Sequence, residues 1–208
     1  MPEKILILNG SPKKDGNTAA LAEWFAEGAC AKGARVEIIR AADLKLKYSG
    51  CTSCRACQKM KEYGCVIKDD LQPVLRKMAR ADVVVMATPL YFFGASAQLK
   101  AVFDRMFSLY KWDNAAGTMK TVLKGKKFIL LASAYEDVGL DALKKPFELT
   151  AKYTGMKFLS LLVPNAGVSG DIRKKAGLRE KAIALGRKVT SLINHDSRLK
   201  PGKPAGSL

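Results

Sequence analysis

Residues 4–18 read KILILNGSPKKDGNT, and this stretch decides the fold. Its apolar run is short and bounded by turn-forming residues, which is typical of a buried strand in a parallel sheet. A helical pattern begins at Thr18, so the intervening loop leads into a helix. Backbone N–H groups at a helix start lack partners and lie at the positive end of the dipole, which favours an anion. We expect a terminal phosphate to be held by Ser11, Lys13, Gly16, Asn17 and Thr18.

The same loop has a simpler explanation, which is a proline-containing turn followed by a polar helix cap. The sequence contains neither a Walker A pattern nor G-x-G-x-x-G, so the fingerprints of nucleoside triphosphate and dinucleotide sites are absent. If the loop binds a phosphate, a mononucleotide suits it better.

Strand-like and helical stretches alternate along the rest of the chain. The strand-like runs lie at 4–8, 35–39, 82–88, 127–133 and 157–163, and helical spacing fills 18–32, 70–80, 95–109, 140–153 and 172–193. Five such alternations predict an α/β fold with a doubly wound parallel sheet and right-handed crossovers. Sheets of this kind bind ligands at the carboxyl ends of their strands.

The length of 208 residues, with 48% hydrophobic residues, suits one ordinary core. We expect a single domain over 1–193 and a loose tail over 194–208. No apolar run approaches the roughly 20 residues of a membrane-spanning helix, and no signal-peptide core follows Met1. We therefore expect a cytoplasmic protein without a membrane segment.

The formal charge of +17 predicts attraction to polyanions or to phosphorylated small molecules. Most of the excess lies after Asp104, at spacings typical of the solvated faces of amphipathic helices. No recognised nucleic-acid-binding motif accompanies this charge, so we do not expect a nucleic-acid partner. The alternative from another functional class is a basic, zinc-bearing module that binds nucleic acid.

Aromatic residues crowd the loop after the third predicted strand. A flat, largely apolar heterocycle would pack there while loop N–H groups bind its polar edge. The alternative is that Phe92 and Phe93 plug the top of the core. The residues of this candidate ring site are Pro89, Leu90, Tyr91, Phe92, Phe93 and Gly94.

Four of the five cysteines, Cys51, Cys54, Cys57 and Cys65, lie within fifteen residues of a predicted loop at 48–69. Thiolates so closely spaced converge on one metal centre more readily than they form a disulfide framework in a chain without an export signal. Zinc and a [4Fe–4S] cluster both use four thiolates, and the repeated two-residue gaps favour the cluster. Cys30 is expected to be a small buried hydrophobe.

Three segments together resemble the flavodoxin-like NADPH-dependent FMN reductase family. They are Gly10-Ser11-Pro12 through Gly16-Asn17-Thr18, Thr88-Pro89-Leu90-Tyr91-Phe92, and Gln98-Leu99-Lys100-Ala101-Val102-Phe103-Asp104-Arg105. The resemblance covers most of residues 4–190. It implies a five-stranded flavodoxin-like sheet of order 2-1-3-4-5, non-covalent FMN and a homodimer or homotetramer built around the flavin sites.

Carried over residue by residue, the resemblance places the phosphate at Ser11 to Thr18 and the isoalloxazine beside Pro89 to Gly94. Ser133, Ala134 and Tyr135 would close the other side of the ring, although this chain lacks the glycines that the family often has there. The cysteine run is similar to the compact motif of iron–sulfur flavoproteins, in which a cluster relays electrons to and from FMN. Relatives without a demonstrated cluster also carry cysteines in this loop.

His195 is the only histidine and lies in the expected tail, so the chemistry is expected to belong to a cofactor. The favoured function is an FMN-dependent oxidoreductase that relays electrons between a [4Fe–4S] cluster and FMN and serves a small-molecule or protein redox partner. The alternative is a cluster-free NAD(P)H-dependent reductase of flavins, quinones or nitro compounds. Asp104-Arg105 is interpreted as a helical ion pair, Asp69-Asp70 as helix-start acids, and 108–125 as a lid or subunit contact.

Overall fold

The computed structural model of the protein describes residues 1–113 and 115–191. The strands are Lys4–Asn9 (β1), Arg35–Arg40 (β2), Val83–Tyr91 (β3), Gly94–Ala95 (β4), Tyr110–Asp113 (β5), Thr118–Thr121 (β6), Lys127–Ser133 (β7) and Lys157–Val163 (β8). The helices are Asn17–Cys30 (α1), Ala56–Lys59 (α2), Leu71–Arg80 (α3), Ala97–Arg105 (α4), Leu140–Thr154 (α5) and Leu178–Ser191 (α6).

Five parallel strands form the central sheet in the order β2-β1-β3-β7-β8, which confirms the predicted flavodoxin-like order. The side chains of β1, β3 and β7 are almost all buried, because helices cover both faces of the sheet. Helices α1 and α6 pack on one face, and α3, α4 and α5 pack on the other.

The register of the central strands places three loops at one edge of the sheet. Asn9 pairs with Ala87, and Pro89 pairs with Ser133, so β1, β3 and β7 end side by side. The loop that follows β1, the turn that follows β3 and the segment that follows β7 are therefore neighbours. This is the edge where a doubly wound sheet binds its ligand.

Several predicted boundaries were wrong where the chain turns more tightly than helical periodicity suggests. The helix expected from 172 begins at Leu178, because a 3-10 turn over Asp171–Lys174 is followed by Gly177 in the left-handed region (φ +70°). One helix was expected over 95–109, but α4 ends at Arg105 and a separate 3-10 turn follows it. The stretch 108–125 contains the antiparallel hairpin β5–β6. His195 and the expected tail over 194–208 lie outside the described residues.

The expected role of the C-terminal charge agrees with the surface of α6, where Lys181, Arg187 and Lys188 are exposed. Arg179 on the same helix pairs with Glu27 of α1 at 2.8 Å. The expectation for Cys30 was wrong, since this residue is exposed at the end of α1. Across the described part of the chain, every helix is too short or too polar to cross a membrane.

Close approach of α1 and α6 depends on a glycine from each helix. A Cβ at Gly28 would lie 2.0 Å from the carbonyl oxygen of Ile183, and one at Gly186 would lie 2.1 Å from that of Phe25. Backbone atoms on a packed helix move only when the helices separate. Both positions therefore require glycine.

Substitution Gly28→Ala should destabilise the fold by about 1–3 kcal/mol, because the added methyl forces α1 and α6 apart. Urea denaturation followed by circular dichroism measures the change. The matched control is Ala184→Ser on the exposed face of α6, which should change the free energy of unfolding by less than about 0.5 kcal/mol. Equal stabilities of Gly28→Ala and the control would contradict the close packing of the two helices.

Candidate functional site

The loop between β1 and α1 is held close to β3 and α4. The N–H of Gly10 donates to the carbonyl oxygen of Ala87 at 2.7 Å, and the Ser96 hydroxyl donates to the carbonyl oxygen of Gly10 at 2.7 Å. A Cβ at Gly10 would lie 2.6 Å from the Cβ of Leu99, so only glycine fits. The chain thus leaves the strand against a buried wall and turns toward the helix start.

Within this loop, side chains hydrogen-bond to backbone N–H groups of the loop and do not cap the start of α1. Asn9 Oδ1 accepts from the N–H of Ser11 at 2.9 Å, and Ser11 Oγ accepts from the N–H of Lys13 at 3.2 Å. Gly16 precedes α1 in an extended conformation, and no side chain of the described residues caps the helix there. The first N–H groups of α1 therefore remain available to an anion, and the exposed Lys13 adds positive charge beside them.

The residue type of Asn17 suggests a side-chain donor to the anion, but its side chain binds another loop of the protein. Its Nδ2 donates to the carbonyl oxygens of Ala166 and Val168, at 2.7 and 2.8 Å, and its Oδ1 accepts from the N–H groups of Gly170 and Ile172. The side-chain amide is thereby fully used in holding the loop after β8 against the helix start. Any contact of Asn17 with an anion would come from its backbone N–H.

Thr18 is likewise turned toward the protein. Its hydroxyl shares a buried hydrogen bond of 2.9 Å with the hydroxyl of Ser133 at the end of β7. This bond ties the start of α1 to the segment expected to close the ring site. The sequence placed both residues at the site, and the structure brings them into direct contact.

The turn between β3 and β4 presents aromatic side chains to solvent. Phe92 and Phe93 have φ angles of 44° and 64°, a conformation that two-residue hairpin turns usually assign to glycine or asparagine. Phe92 is fully exposed (101%), and the Phe93 ring lies where a Cβ on Gly139 would come within 2.2 Å. The interpretation of this pair as a core plug was therefore wrong.

The opposite side of the edge is formed by the end of β7 and the residues after it. Ser133 and Ala134 are buried, and Tyr135 is 71% exposed with its ring packed against Gly167. Pro89 and Leu90 are half-buried next to this segment. The candidate ring site is thus an open shelf with aromatic side chains at both ends.

The four clustered cysteines line a single cleft together with Arg105, Phe107 and Ser108. Cys51 and Cys54 are exposed, whereas Cys57 and Cys65 are buried. The space that they enclose is about 10 Å³, room for no more than one water molecule. Within 1–113 and 115–191, no three Cys, His, Asp or Glu side chains are placed to bind one metal ion.

The thiols of this cleft differ in acidity. The backbone N–H of Ala56 lowers the pKa of Cys54 by hydrogen bonding, with help from Thr52. Burial raises the pKa of Cys57, and the neighbouring cysteines add to the effect. The exposed end of the cleft therefore favours a thiolate more than the buried end does.

A buried ion pair forms one wall of the cleft. Arg105 Nη1 lies 2.6 Å from Asp69 Oδ2, with side chains 0% and 4% exposed. The expected pairing of Asp104 with Arg105 was wrong, because Asp104 pairs with Lys100 one turn away. Asp69 does act as a helix-start acid, since its Oδ1 accepts from the N–H of Leu71.

A larger cavity of about 700 Å³ lies beside the cleft and shares Arg55 and Phe107 with it. Tyr110 and Trp112 of the β5–β6 hairpin line this cavity, so part of the stretch expected to be a lid or subunit contact forms its wall. Burial raises the pKa of Tyr110 to about 12, which keeps its hydroxyl protonated near neutral pH.

Two residues that position the site were missed by the sequence analysis. Ser96 caps α4 and binds the loop at Gly10, and a serine just before a helical run is a recognisable cap signal. Asn9 holds Ser11, but nothing in the local pattern distinguishes it from an ordinary turn asparagine.

Burial and hydrogen bonding shift the pKa of Asp69 in opposite directions. Burial alone would raise its pKa, yet the hydrogen bond from Arg105, with those from the N–H groups of Lys47 and Leu71, lowers it. A carboxylate whose pKa is lower in the folded state stabilises the fold above its ordinary pKa of 3.8. That contribution is lost as the pH falls further, through the pKa of the folded state.

Substitution Asp69→Asn should lower the free energy of unfolding at neutral pH by about 3–5 kcal/mol, because it leaves the Arg105 charge buried without its counter-ion. The variant should also lose part of the acid sensitivity of the parent protein below pH 3.8. Urea denaturation at several pH values measures both effects. Asp104→Asn is the control, since its exposed pair with Lys100 should contribute under about 1 kcal/mol. Similar losses of unfolding free energy in both variants would contradict a stabilising role for the buried pair.

Comparisons with known proteins agree with this geometry. A model of the NADPH-dependent FMN reductase family matches residues 3–163. An iron–sulfur flavoprotein of Methanocaldococcus jannaschii is 37% identical over 102 residues, 49% of this chain and 51% of that protein. One from Archaeoglobus fulgidus is 28% identical over 175 residues, covering 72% and 78%. The FMN-dependent NADH:quinone oxidoreductase 2 of Idiomarina loihiensis is 29% identical over 143 residues, covering 61% and 59%.

The chain spans about half the length of the first two curated relatives that it matches. Among solved structures, an NAD(P)H:quinone oxidoreductase from Methanothermobacter marburgensis superposes with a TM-score of 0.65 at 17% identity, over 94% of this chain and 98% of that one. A flavodoxin from the domain Archaea gives a TM-score of 0.57 at 14% identity, over 92% and 99%. These structural similarities support the fold.

Proposed function

Because this chain belongs to the NADPH-dependent FMN reductase family, we propose that it is an FMN-dependent oxidoreductase that relays electrons between FMN and a [4Fe–4S] cluster. The observation that carries the proposal is the gathering of four cysteines at one cleft. The relatives named iron–sulfur flavoproteins support it. The redox chemistry would belong to the cofactors, while the protein supplies binding, orientation and electrostatics.

The sheet edge suits FMN in its charge and its shape. The uncapped start of α1 would hold the phosphate through backbone N–H groups, with Lys13 adding charge. The shelf between the aromatic turn and Tyr135 would take the isoalloxazine. The proposed FMN-binding residues are Ser11, Lys13, Gly16, Asn17, Thr18, Pro89, Leu90, Tyr91, Phe92, Phe93, Gly94, Ser133, Ala134 and Tyr135.

The cysteine cleft offers the four sulfur ligands that a cluster needs, but the space between them is too small for a cluster in this conformation. Four thiolates are the ligands that a [4Fe–4S] cluster uses, and Arg55 at the cleft brings positive charge to offset an anionic group. The charge of Arg105 is already paired with Asp69. The enclosed space is smaller than a cluster, so binding would require the exposed segment 51–55 to move outward. Ser53 and Arg55 have positive φ angles there, which is a strained conformation for such residues.

A cluster-free NAD(P)H-dependent reductase of flavins, quinones or nitro compounds is the second candidate. The closed cleft favours it, as does the similarity to an NADH:quinone oxidoreductase. The zinc-bearing module that binds nucleic acid is not favoured, because no recognised nucleic-acid-binding motif accompanies the basic charge.

We further propose that two or four copies associate over the flavin shelf and that the protein acts in the cytoplasm with a small-molecule or protein redox partner. Tyr91, Phe92 and Tyr135 support the association, because these exposed aromatic side chains lie on both sides of the proposed flavin site. Exposed apolar groups of this kind are commonly covered in an assembly.

Substitution Lys13→Glu should weaken FMN binding at least tenfold and leave riboflavin binding nearly unchanged, because only FMN carries the phosphate. Flavin fluorescence titration of the apoprotein measures both affinities. Lys32→Glu, in the exposed turn just past the C-terminal end of α1, is the control with the same charge change and should bind both ligands as the parent does. Equal losses of FMN and riboflavin in Lys13→Glu would remove the phosphate assignment.

Protein prepared without oxygen should contain FMN together with about four irons and four sulfides per chain. Cys65→Ser should lose the iron and keep the flavin, because the buried thiol cannot be replaced by another residue of the cleft. Cys30→Ser, the control outside the loop, should keep both. Iron-free wild-type protein that still contains FMN would support the cluster-free reductase, and one tightly bound zinc would make the loop a structural site.

A further inference from the structure

The cavity beside the cysteine cleft has the size and lining of a small-molecule site. Its volume of about 700 Å³ falls within the roughly 300–1,000 Å³ of such sites. Phe107, Tyr110, Trp112 and Tyr153 form its aromatic wall. Trp112 and Tyr153 are 49% and 58% exposed, although both are large aromatic residues. Aromatic side chains that stay exposed around one cavity are typical of a binding site.

Contacts within the protein fix this aromatic wall. The Tyr110 ring meets the Phe107 and Tyr153 rings edge to face, with centroids 4.7 and 6.1 Å away. Gln58 ties α2 to β5, since its Nε2 donates to the carbonyl oxygen of Tyr110 and its Oε1 accepts from the N–H of Trp112, both at 3.0 Å. A wall that is already ordered loses little entropy when a flat ring packs against it.

The polar side of the cavity carries positive charge without a counter-ion. Arg55 and Lys59 line it, and both are exposed. Over the part of the chain that the structure describes, neither side chain forms an ion pair, and no Asp or Glu lines the cavity. Two unpaired cations beside an aromatic wall favour an anionic ligand over a neutral or cationic one.

The cavity lies apart from the proposed flavin shelf. Gly139, just before α5, contacts the Phe93 ring of the shelf, whereas Tyr153 lies near the other end of the helix. At 1.5 Å per residue, about 20 Å of helix separates Gly139 from Tyr153. A small ligand that contacts Tyr153 therefore leaves the shelf free.

We propose that this cavity binds a planar aromatic anion, with its ring against Tyr110 and Trp112 and its negative charge beside Arg55 and Lys59. An aromatic carboxylate has this chemistry, because a guanidinium binds a carboxylate through charge-assisted hydrogen bonds. The site goes beyond the proposed function. It depends neither on FMN nor on a metal in the cysteine cleft.

The first test compares 2-naphthoate with 2-naphthylmethanol, which presents the same rings without the charge, by isothermal titration calorimetry. The parent protein should bind the acid about tenfold or more tightly than the alcohol, the effect of one hydrogen bond to a charged group. The double variant Arg55→Gln/Lys59→Gln should bind both probes equally. The control Lys61→Gln/Lys68→Gln removes two exposed charges of the same loop outside the cavity and should keep the preference of the parent.

A second pair of variants locates the probe. Tyr153→Ala removes one ring of the wall and should weaken the binding of both probes several-fold. Leu149→Ala, the control, removes an exposed apolar side chain one turn earlier on α5 and outside the cavity, and should bind as the parent does. All the substituted side chains are exposed, and circular dichroism checks that each variant is folded.

Three results would overturn the site. One is an absence of 2-naphthoate binding, or equal affinities of the parent for the acid and the alcohol. Another is binding that is unchanged in Arg55→Gln/Lys59→Gln and in Tyr153→Ala, which would place the probe elsewhere, such as on the flavin shelf. The third is self-association that Tyr153→Ala abolishes, without probe binding, which would assign the cavity to a second copy of the chain. The FMN content is measured separately, so failure of this site and failure of the proposed function are distinguishable.

Discussion

The parallel pairing of β3 with β1 on one side and β7 on the other is the constraint on which the rest of the structure depends. Because of this pairing, the three strands end side by side at one edge of the sheet. The loop at Gly10, the aromatic turn and the segment after Ser133 are therefore neighbours, and the strand register alone brings them together. Buried hydrogen bonds then set the details. The Thr18 hydroxyl joins Ser133, and the Asn17 amide holds the loop after β8.

The cysteine loop is attached to this framework both by a buried ion pair and by apolar packing, since Cys65, Tyr63 and Ile67 pack against the core. Asp69 receives Arg105 from α4 and the N–H of Lys47, which fixes both ends of the segment between them. Cys57 and Cys65 are buried against this support, while Cys51 and Cys54 stay exposed. The Gln58 side chain also binds the backbone of Tyr110 and Trp112, so the loop is tied to the β5–β6 hairpin as well.

The sequence predicted the sheet well, because short apolar runs such as Lys127–Ser133 are bounded by turn residues and buried on both faces. It missed β4 and the β5–β6 hairpin, since strands of two to four residues carry too little alternation to be recognised. The start of α6 was misplaced because apolar Ile172 fits helical spacing while Gly177 turns the chain.

For the candidate site, the sequence predicted which residues take part but not which partners their side chains bind. Residue types identified Asn17 and Thr18 as part of the site, but their hydrogen-bond partners lie more than 100 residues away in the chain. Arg105 was assigned to its neighbour Asp104, and its true partner Asp69 comes from another segment. Helical i,i+4 spacing would have identified the Lys100–Asp104 pair, whereas a partner such as Asp69, from another part of the chain, depends on tertiary packing.

Anaerobic reductive titration of the protein as purified tests the central claim most directly, because it counts the electrons that one chain accepts. If FMN and a [4Fe–4S] cluster share the chain, the titration should end at about three electrons, two for the flavin and one for the cluster. An end point of about two electrons, with only flavin absorbance changing, would contradict the account of the cysteine cleft.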